Sequence, residues 1–201
     1  SAEALHNLVK PGNPKRLIEN IGEGKSTPAS RHIVETVDKP DSRPVWINIW
    51  GAATDLAQAM WDVHASRDAE DVADFVSKLR VYEIAGQGDA GGWICHNFPE
   101  IFWIRSVHQF QAISVRVARP FPQEVTGANI ETFTTEWVQE NVQSHGPLGE
   151  LYSDRHFKYE GDTPAFLYLL QNGLSDPMKP HYGGWGGRFN PFITRNPAVF
   201  L

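Results

Sequence analysis

Thiols are nearly absent. Cys95 is the one cysteine in 201 residues, which excludes a disulfide within the chain and a tetrahedral thiolate zinc site. It reads as a small buried hydrophobe, and one cysteine fits either redox compartment. No apolar run approaches the roughly 20 residues that a membrane-spanning helix needs, and the opening SAEALHNLVKPGNPKR does not have the form of a signal peptide. Basic runs are missing too. Eighteen Lys and Arg against 24 Asp and Glu give a net charge of -6 with the signs interspersed. That balance argues against nucleic acid or a membrane as the main partner and points to a small or neutral ligand. There are no internal repeats, no P-loop and no Ser-His-Asp order, and GQGDAGG lacks the helix-opening spacing of a dinucleotide fingerprint.

What remains is an ordinary globular composition. With 41% hydrophobic and 11% aromatic residues, the chain can bury one sizeable core, and one soluble domain over residues 1–201 is expected. STPASRHIVETVDK predicts a helix, with Thr27 as N-cap, Pro28 in the first turn and Ile33, Val34 and Val37 at helical spacing. RPVWINIWG reads as a buried strand closed by Gly51. ATDLAQAMWDVHAS and RDAEDVADFVSKL are amphipathic helices, the second with acids in its first turn and Lys78 in its last. RVYEIA and IFWIRS follow as strands, separated by the glycine-rich stretch and a short helix near Trp93. The alternation predicts an α/β fold, a mostly parallel sheet with helices on both faces. Strands are expected at 45–49, 80–84 and 101–104, with nothing strand-like before Val45.

In such sheets ligands gather beyond the carboxyl ends of the strands. That rim would run through Trp50 and Gly51, Gln87 to Gly92, and Ser106 to His108. Further along, 107–129 shows no clean period and reads as an irregular excursion. TEWVQENVQ is a helix, HGPLGELYSD a loop with at most one turn, Thr163 to Leu170 a helix, and QNGLSDPMKPHYGGWGGRFNPF a region without periodicity.

Several residues admit two readings. Asp162, ahead of Thr163 and Pro164, is a helix cap or a metal ligand held beside Glu160. Asp89 caps the following turn or bonds a ligand hydroxyl. His145 is a plain loop histidine, or otherwise an acid or a sugar contact. Trp185, among four glycines, either packs back to cover an edge or presents its ring to the C–H surface of a sugar. The Trp50 side chain is expected to pack at the end of a buried strand. Asp68, Asp71 and Asp74 read as a solvated helix start rather than a metal cluster.

The order of GEGKSTPASRHIVETVDK, RPVWINIWGAATDLAQAMW, FVSKLRVYEIAGQGDAGGWICHNFPEIFWI, HGPLGELY, EGDTPAFLYLLQNGL and GGWGGRF resembles the nucleoside hydrolase fold, in the form of the nucleoside hydrolase-like domain of a cellulose-binding protein. The resemblance covers most of the chain and implies a Rossmann-like sheet. It also implies hydrolysis of an N-glycosidic or related glycosidic bond, with calcium holding sugar hydroxyls and a water. The alternative is a non-catalytic carbohydrate-binding module.

On this resemblance, WGAATDLA places the Trp50 carbonyl on calcium, EGDTPAFLY maps a calcium-binding aspartate onto Asp162, and HNFPE maps a sugar-binding asparagine onto Asn97. Gly161 stands where many relatives carry histidine. The family's D-x-D-x-x-x-D-D cluster, source of most calcium ligands and of the general base, occurs nowhere in the 201 residues. No catalytic residue is therefore assigned, and the chain is expected to lack its first strand and that cluster and to be cut near its carboxyl end as well. It is then expected neither to bind calcium tightly nor to hydrolyse nucleosides. A sheet edge exposed by the missing strand would favour a homo-oligomer, and relatives imply a secreted or periplasmic location.

Overall fold

The computed structural model describes residues 1–107, 135–152, 161–191 and 199–200. Most of the excursion expected at 107–129, and Glu160, lie outside them. A short helix α1 (Ala2–His6) and a 3-10 turn (Ile18–Asn20) precede α2 (Pro28–Val37), β1 (Val45–Ile49), α3 (Thr54–Ser66) and α4 (Ala69–Lys78). Then come β2 (Leu79–Ile84), α5 (Ala90–Asn97) and β3 (Phe102–Ser106), followed by α6 (Thr135–Val138), which runs into a π turn (Gln139–Gln143). α7 (Gly146–Glu150), α8 (Thr163–Leu167), a second 3-10 turn (Pro180–Tyr182) and β4 (Val199–Phe200) complete the described elements. The four strands pair in the order β1-β2-β3-β4, all parallel. Each of the three expected strands is present, and the α/β expectation stands.

The strands alternate as the pleat requires. Val45, Ile47, Ile49, Leu79, Val81 and Trp103 join Val37, Leu56, Met60, Val63, Phe75 and Ile94 in a core between the sheet and α2–α5. The intervening residues Trp46, Tyr82, Ile84, Phe102 and Ile104 face the other way, onto Ala165, Tyr168 and Phe189 around α8. One run of buried β residues thus feeds two cores, which is why the strands read as continuous apolar stretches. β2 is buried along most of its length, whereas Val45 to Asn48 of β1 are half-buried. Among the described residues no strand pairs with the outer side of β1.

Helix starts follow local chemistry. Thr27 and Ser30 form a reciprocal capping box at α2, and the Asp68 carboxylate accepts from the Glu70 and Asp71 amides at 3.1 and 3.0 Å, as the solvated-start reading requires. The irregular amino-terminal segment is tied to α3. Asp55 accepts from the Asn13 amide at 3.0 Å and the Thr27 hydroxyl at 2.6 Å, Asp62 accepts from Ser26 at 2.8 Å, and the buried Gln58 amide bonds both backbone groups of Gly22.

Two expectations need correction, and one strand was not foreseen. α8 ends at Leu167 rather than continuing to Leu170, since Leu169 and Leu170 donate to carbonyls three residues back and the last turn is tighter. TEWVQENVQ is helical for four residues and then widens into the π turn. β4 had no signal in the sequence, because two residues carry no period.

Candidate functional site

The carboxyl rim of the sheet begins at Trp50. Its side chain is 54% exposed, which corrects the packing expectation: the residue follows β1 directly, and the indole projects from the strand end instead of closing the core. Its carbonyl accepts from the Gln87 side-chain amide at 3.3 Å, and the Gln87 oxygen lies 3.5 Å from the Arg16 guanidinium. Gln87 therefore bridges the ends of β1 and β2 to the amino-terminal segment. Directly after β2, Ala85 holds φ at +64°, a left-handed conformation that costs an alanine roughly 1–2 kcal/mol. Its amide nevertheless continues the ladder by donating to the Ser106 carbonyl at 2.8 Å. Strain of this kind gathers at ligand-handling turns.

Beneath the rim lies a charge pair that sequence reading missed. Glu83, 1% exposed, accepts from Arg105 Nε at 2.6 Å and from Trp103 Nε1 at 3.1 Å. α5 settles on this pair through Gly91, where a Cβ would lie 2.7 Å from a Glu83 oxygen. The available signal was one charged residue near the end of each apolar run, in LRVYEI and FWIRS. Burial pushes the nearby Cys95 thiol up to about 12; the residue is half-buried rather than buried, and packs against the edge of the core. On the α8 side, Asn48 Oδ1 is buried and without a hydrogen-bond partner among the described residues.

The candidate residues separate into distinct places. Asp89 is at the rim, at the head of α5, but its carboxylate does not cap that helix; it accepts from the Ile18 amide at 2.7 Å and fastens the 3-10 turn. Asn97 ends α5, which carries it to the amino end of the parallel strands, away from Trp50. Its amide donates to the Trp93 carbonyl at 2.8 Å. His145 precedes α7, exposed, with Nδ1 2.9 Å from the Ser144 hydroxyl. Asp162 occupies the position before α8, half-buried, and α8 packs on β1 and β2. The capping reading is corrected. Its backbone is already helical (φ -91°, ψ -23°) rather than extended, and its carboxylate takes no bond from the helix amides.

Trp185 is 69% exposed, which overturns the reading that it packs over an edge. It sits in a tight turn closed by two backbone bonds, Gly184 N–H to Gly187 O at 3.0 Å and Gly187 N–H to Gly184 O at 3.2 Å. The next residue is wedged into the fold. A Cβ on Gly186 would lie 2.2 Å from the Pro164 carbonyl and 2.6 Å from Tyr168 Cβ, and the Gly186 carbonyl accepts from the buried Tyr82 hydroxyl at 2.7 Å. An open groove of about 370 Å³ runs past the ring, lined by Asn172, Leu174, Tyr182, Trp185 and Arg188 among others.

Among the described residues no three His, Cys, Asp or Glu side chains are grouped to hold a metal, and no helix is long and apolar enough to cross a membrane. A calcium shell takes six to eight oxygens. The two donors that resemblance proposes, the Asp162 carboxylate and the Trp50 carbonyl, do not fit that requirement by themselves, and no chemical step is assigned to the ion.

No curated protein sequence matches the chain. A solved structure does, that of a nucleoside hydrolase-related hypothetical protein from Saccharophagus degradans associated with carbohydrate metabolism, at 37% identity and a TM-score of 0.73. The match covers 92% of this chain and 40% of that one, so the chain spans less than half the length of its relative. The model of the family described as cellulose-binding Sde182, nucleoside hydrolase-like domain, matches residues 1–189. With a parallel sheet whose carboxyl rim passes through Trp50, and helices on both its faces, the chain belongs to this nucleoside hydrolase-like family.

Proposed function

We propose that the chain is the sugar-recognising part of a nucleoside hydrolase-like domain, taking a sugar-bearing ligand at the carboxyl rim of β1–β3 and acting as a carbohydrate-binding rather than a bond-cleaving unit. The observation that carries this is the juxtaposition at one strand end of an exposed indole, Trp50, with the strained Ala85 turn to which Gln87 ties it. The family's cellulose binding and the association of the solved relative with carbohydrate metabolism support the ligand class. An exposed aromatic ring beside amide donors suits a neutral, hydroxylated ligand, and the net charge of -6 does not favour a polyanion. Calorimetric titration with ribose, nucleosides and soluble cello-oligosaccharides tests it. Binding that Trp50→Ala weakens at least fivefold is expected; no binding of any of these sugars would refute it.

A second reading, hydrolysis of an N-glycosidic bond, is supported by the nucleoside hydrolase-like character of the family and of the solved relative. It would draw its general base from outside the described residues. Nucleoside turnover by this chain would favour it over the binding reading.

A further inference from the structure

We infer that the Trp185 turn is a preformed stacking platform for a β-linked glucan chain, a second carbohydrate surface on the α8 side of the domain. The inference rests on the reading above that the domain recognises carbohydrate, and assigns polymer contact to residues that the rim does not use. Exposure comes first. Trp185, Tyr182 (47% exposed) and Leu174 all present their side chains to solvent around one groove. A fold gains on the order of 1.5–3 kcal/mol by burying one large apolar side chain, so an outward cluster with polar neighbours marks an interaction surface.

Rigidity is the second observation. The turn is closed by its own pair of bonds, Gly186 has no space for a side chain against Pro164 and Tyr168, and the Tyr82 hydroxyl pins Gly186 from inside the sheet. The indole thus stands on backbone fixed to the core, and binding need not order a loop. Tyr182 is held as well, its carbonyl accepting from Arg188 at 3.3 Å and its ring lying 5.1 Å from the Lys179 ammonium.

The groove's chemistry selects the occupant. The negative face of an indole attracts the C–H face of a pyranose ring, and hydroxyls at the ring's edge need donors. Arg188 is one. Asn172 is another: its side-chain oxygen accepts from the Leu174 and Ser175 amides, while its amide nitrogen makes no bond among the described residues. Among the described residues no carboxylate lines the groove. At about 370 Å³ it falls in the roughly 300–1,000 Å³ range of small-ligand sites, and the cellulose binding of the family supports a β-linked glucan as the occupant.

The experiment compares retention on insoluble cellulose with affinity for soluble sugars, for the protein as it is and for Trp185→Ala, Trp185→Phe and Leu148→Ala, the last an exposed residue outside the groove. Circular dichroism confirms that each variant folds. Expected results are a loss of cellulose retention of at least tenfold for Trp185→Ala, retention within about threefold for Trp185→Phe, no change for Leu148→Ala, and unchanged affinity for small soluble sugars in all three. Cellulose retention insensitive to Trp185→Ala, or its absence while soluble sugars still bind, would overturn this inference and leave the rim reading standing. Failure of every carbohydrate to bind would remove both. A change confined to self-association in sedimentation would overturn the inference in favour of a protein contact.

Discussion

Glu83 and Arg105 are register partners on adjacent parallel strands, and their charged groups meet at 2.6 Å beneath the first turn of α5. With Glu83 buried, the pair matters through what its breakage would leave behind. Removing one partner of a buried pair costs about 3–5 kcal/mol, because the other charge stays desolvated. Since the Arg105 side chain keeps 29% exposure, Arg105→Ala should fall near the lower end, about 3 kcal/mol. The Trp103 indole still donates to the carboxylate in that variant. Urea unfolding checks it; a loss under 1 kcal/mol would show that water or Trp103 alone satisfies Glu83.

Tyr82 predicts an alkaline limit. Burial pushes its hydroxyl from 10.0 up to about 12, so the unfolded chain releases this proton first. Stability is then fully present below about pH 10 and falls as pH rises towards 12, by roughly 2–3 kcal/mol in all. Tyr82→Phe should remove that step from the melting temperature against pH curve, while costing about 0.5–1.5 kcal/mol at pH 7 for the lost bond to Gly186.

Gly186→Ala should destabilise the protein by at least 2 kcal/mol, since its methyl group would meet the Pro164 carbonyl and Tyr168, backbone that cannot yield cheaply. Gly92→Ala is the paired control. Nothing lies within 4 Å of a Cβ there and the residue is inside α5, so alanine should be neutral or gain up to about 1 kcal/mol. Thermal unfolding of both decides the matter.

Calcium titrated into the chain should produce no binding in the micromolar range, and nucleosides incubated with it should not be cleaved. The Asp162 carboxylate and the Trp50 carbonyl would leave most of a hard cation's shell to water. Isothermal calorimetry and chromatography of the products are sufficient. Micromolar affinity would mean that further oxygens converge on Asp162.

Much of the fold could be read before any coordinates, because β1, β2 and β3 are apolar runs that alternate with helices carrying their own caps, such as Thr27 with Ser30 and Asp68. Local chemistry decided those elements. The site was less legible, since it depends on where side chains point. Asp-Thr-Pro signals a cap at Asp162 whatever its backbone does, and here a helical ψ takes the carboxylate off the amides. Asp89 precedes a helix as a cap would, yet bonds Ile18, 71 residues away in the chain. An aromatic ring among glycines can fold in or out, and for Trp185 the outcome was set by Tyr82 and α8, neither of them near it in sequence. Glu83 and Arg105 were discoverable, as charges placed at matching positions in two buried strands.

The carboxylates and amide that α3 extends to Asn13, Gly22, Ser26 and Thr27 bear on how the protein can be engineered. α1 buries none of its residues, so substitutions within it would disturb no packing. Trimming past residue 10 is a different operation: it would first take the Pro11 carbonyl from the Ala29 amide and then strip hydrogen-bond donors from Asp55, Gln58 and Asp62 of α3 in turn. The boundary that spares these bonds thus lies before Pro11, whose carbonyl accepts from the Ala29 amide at 3.0 Å at the start of α2.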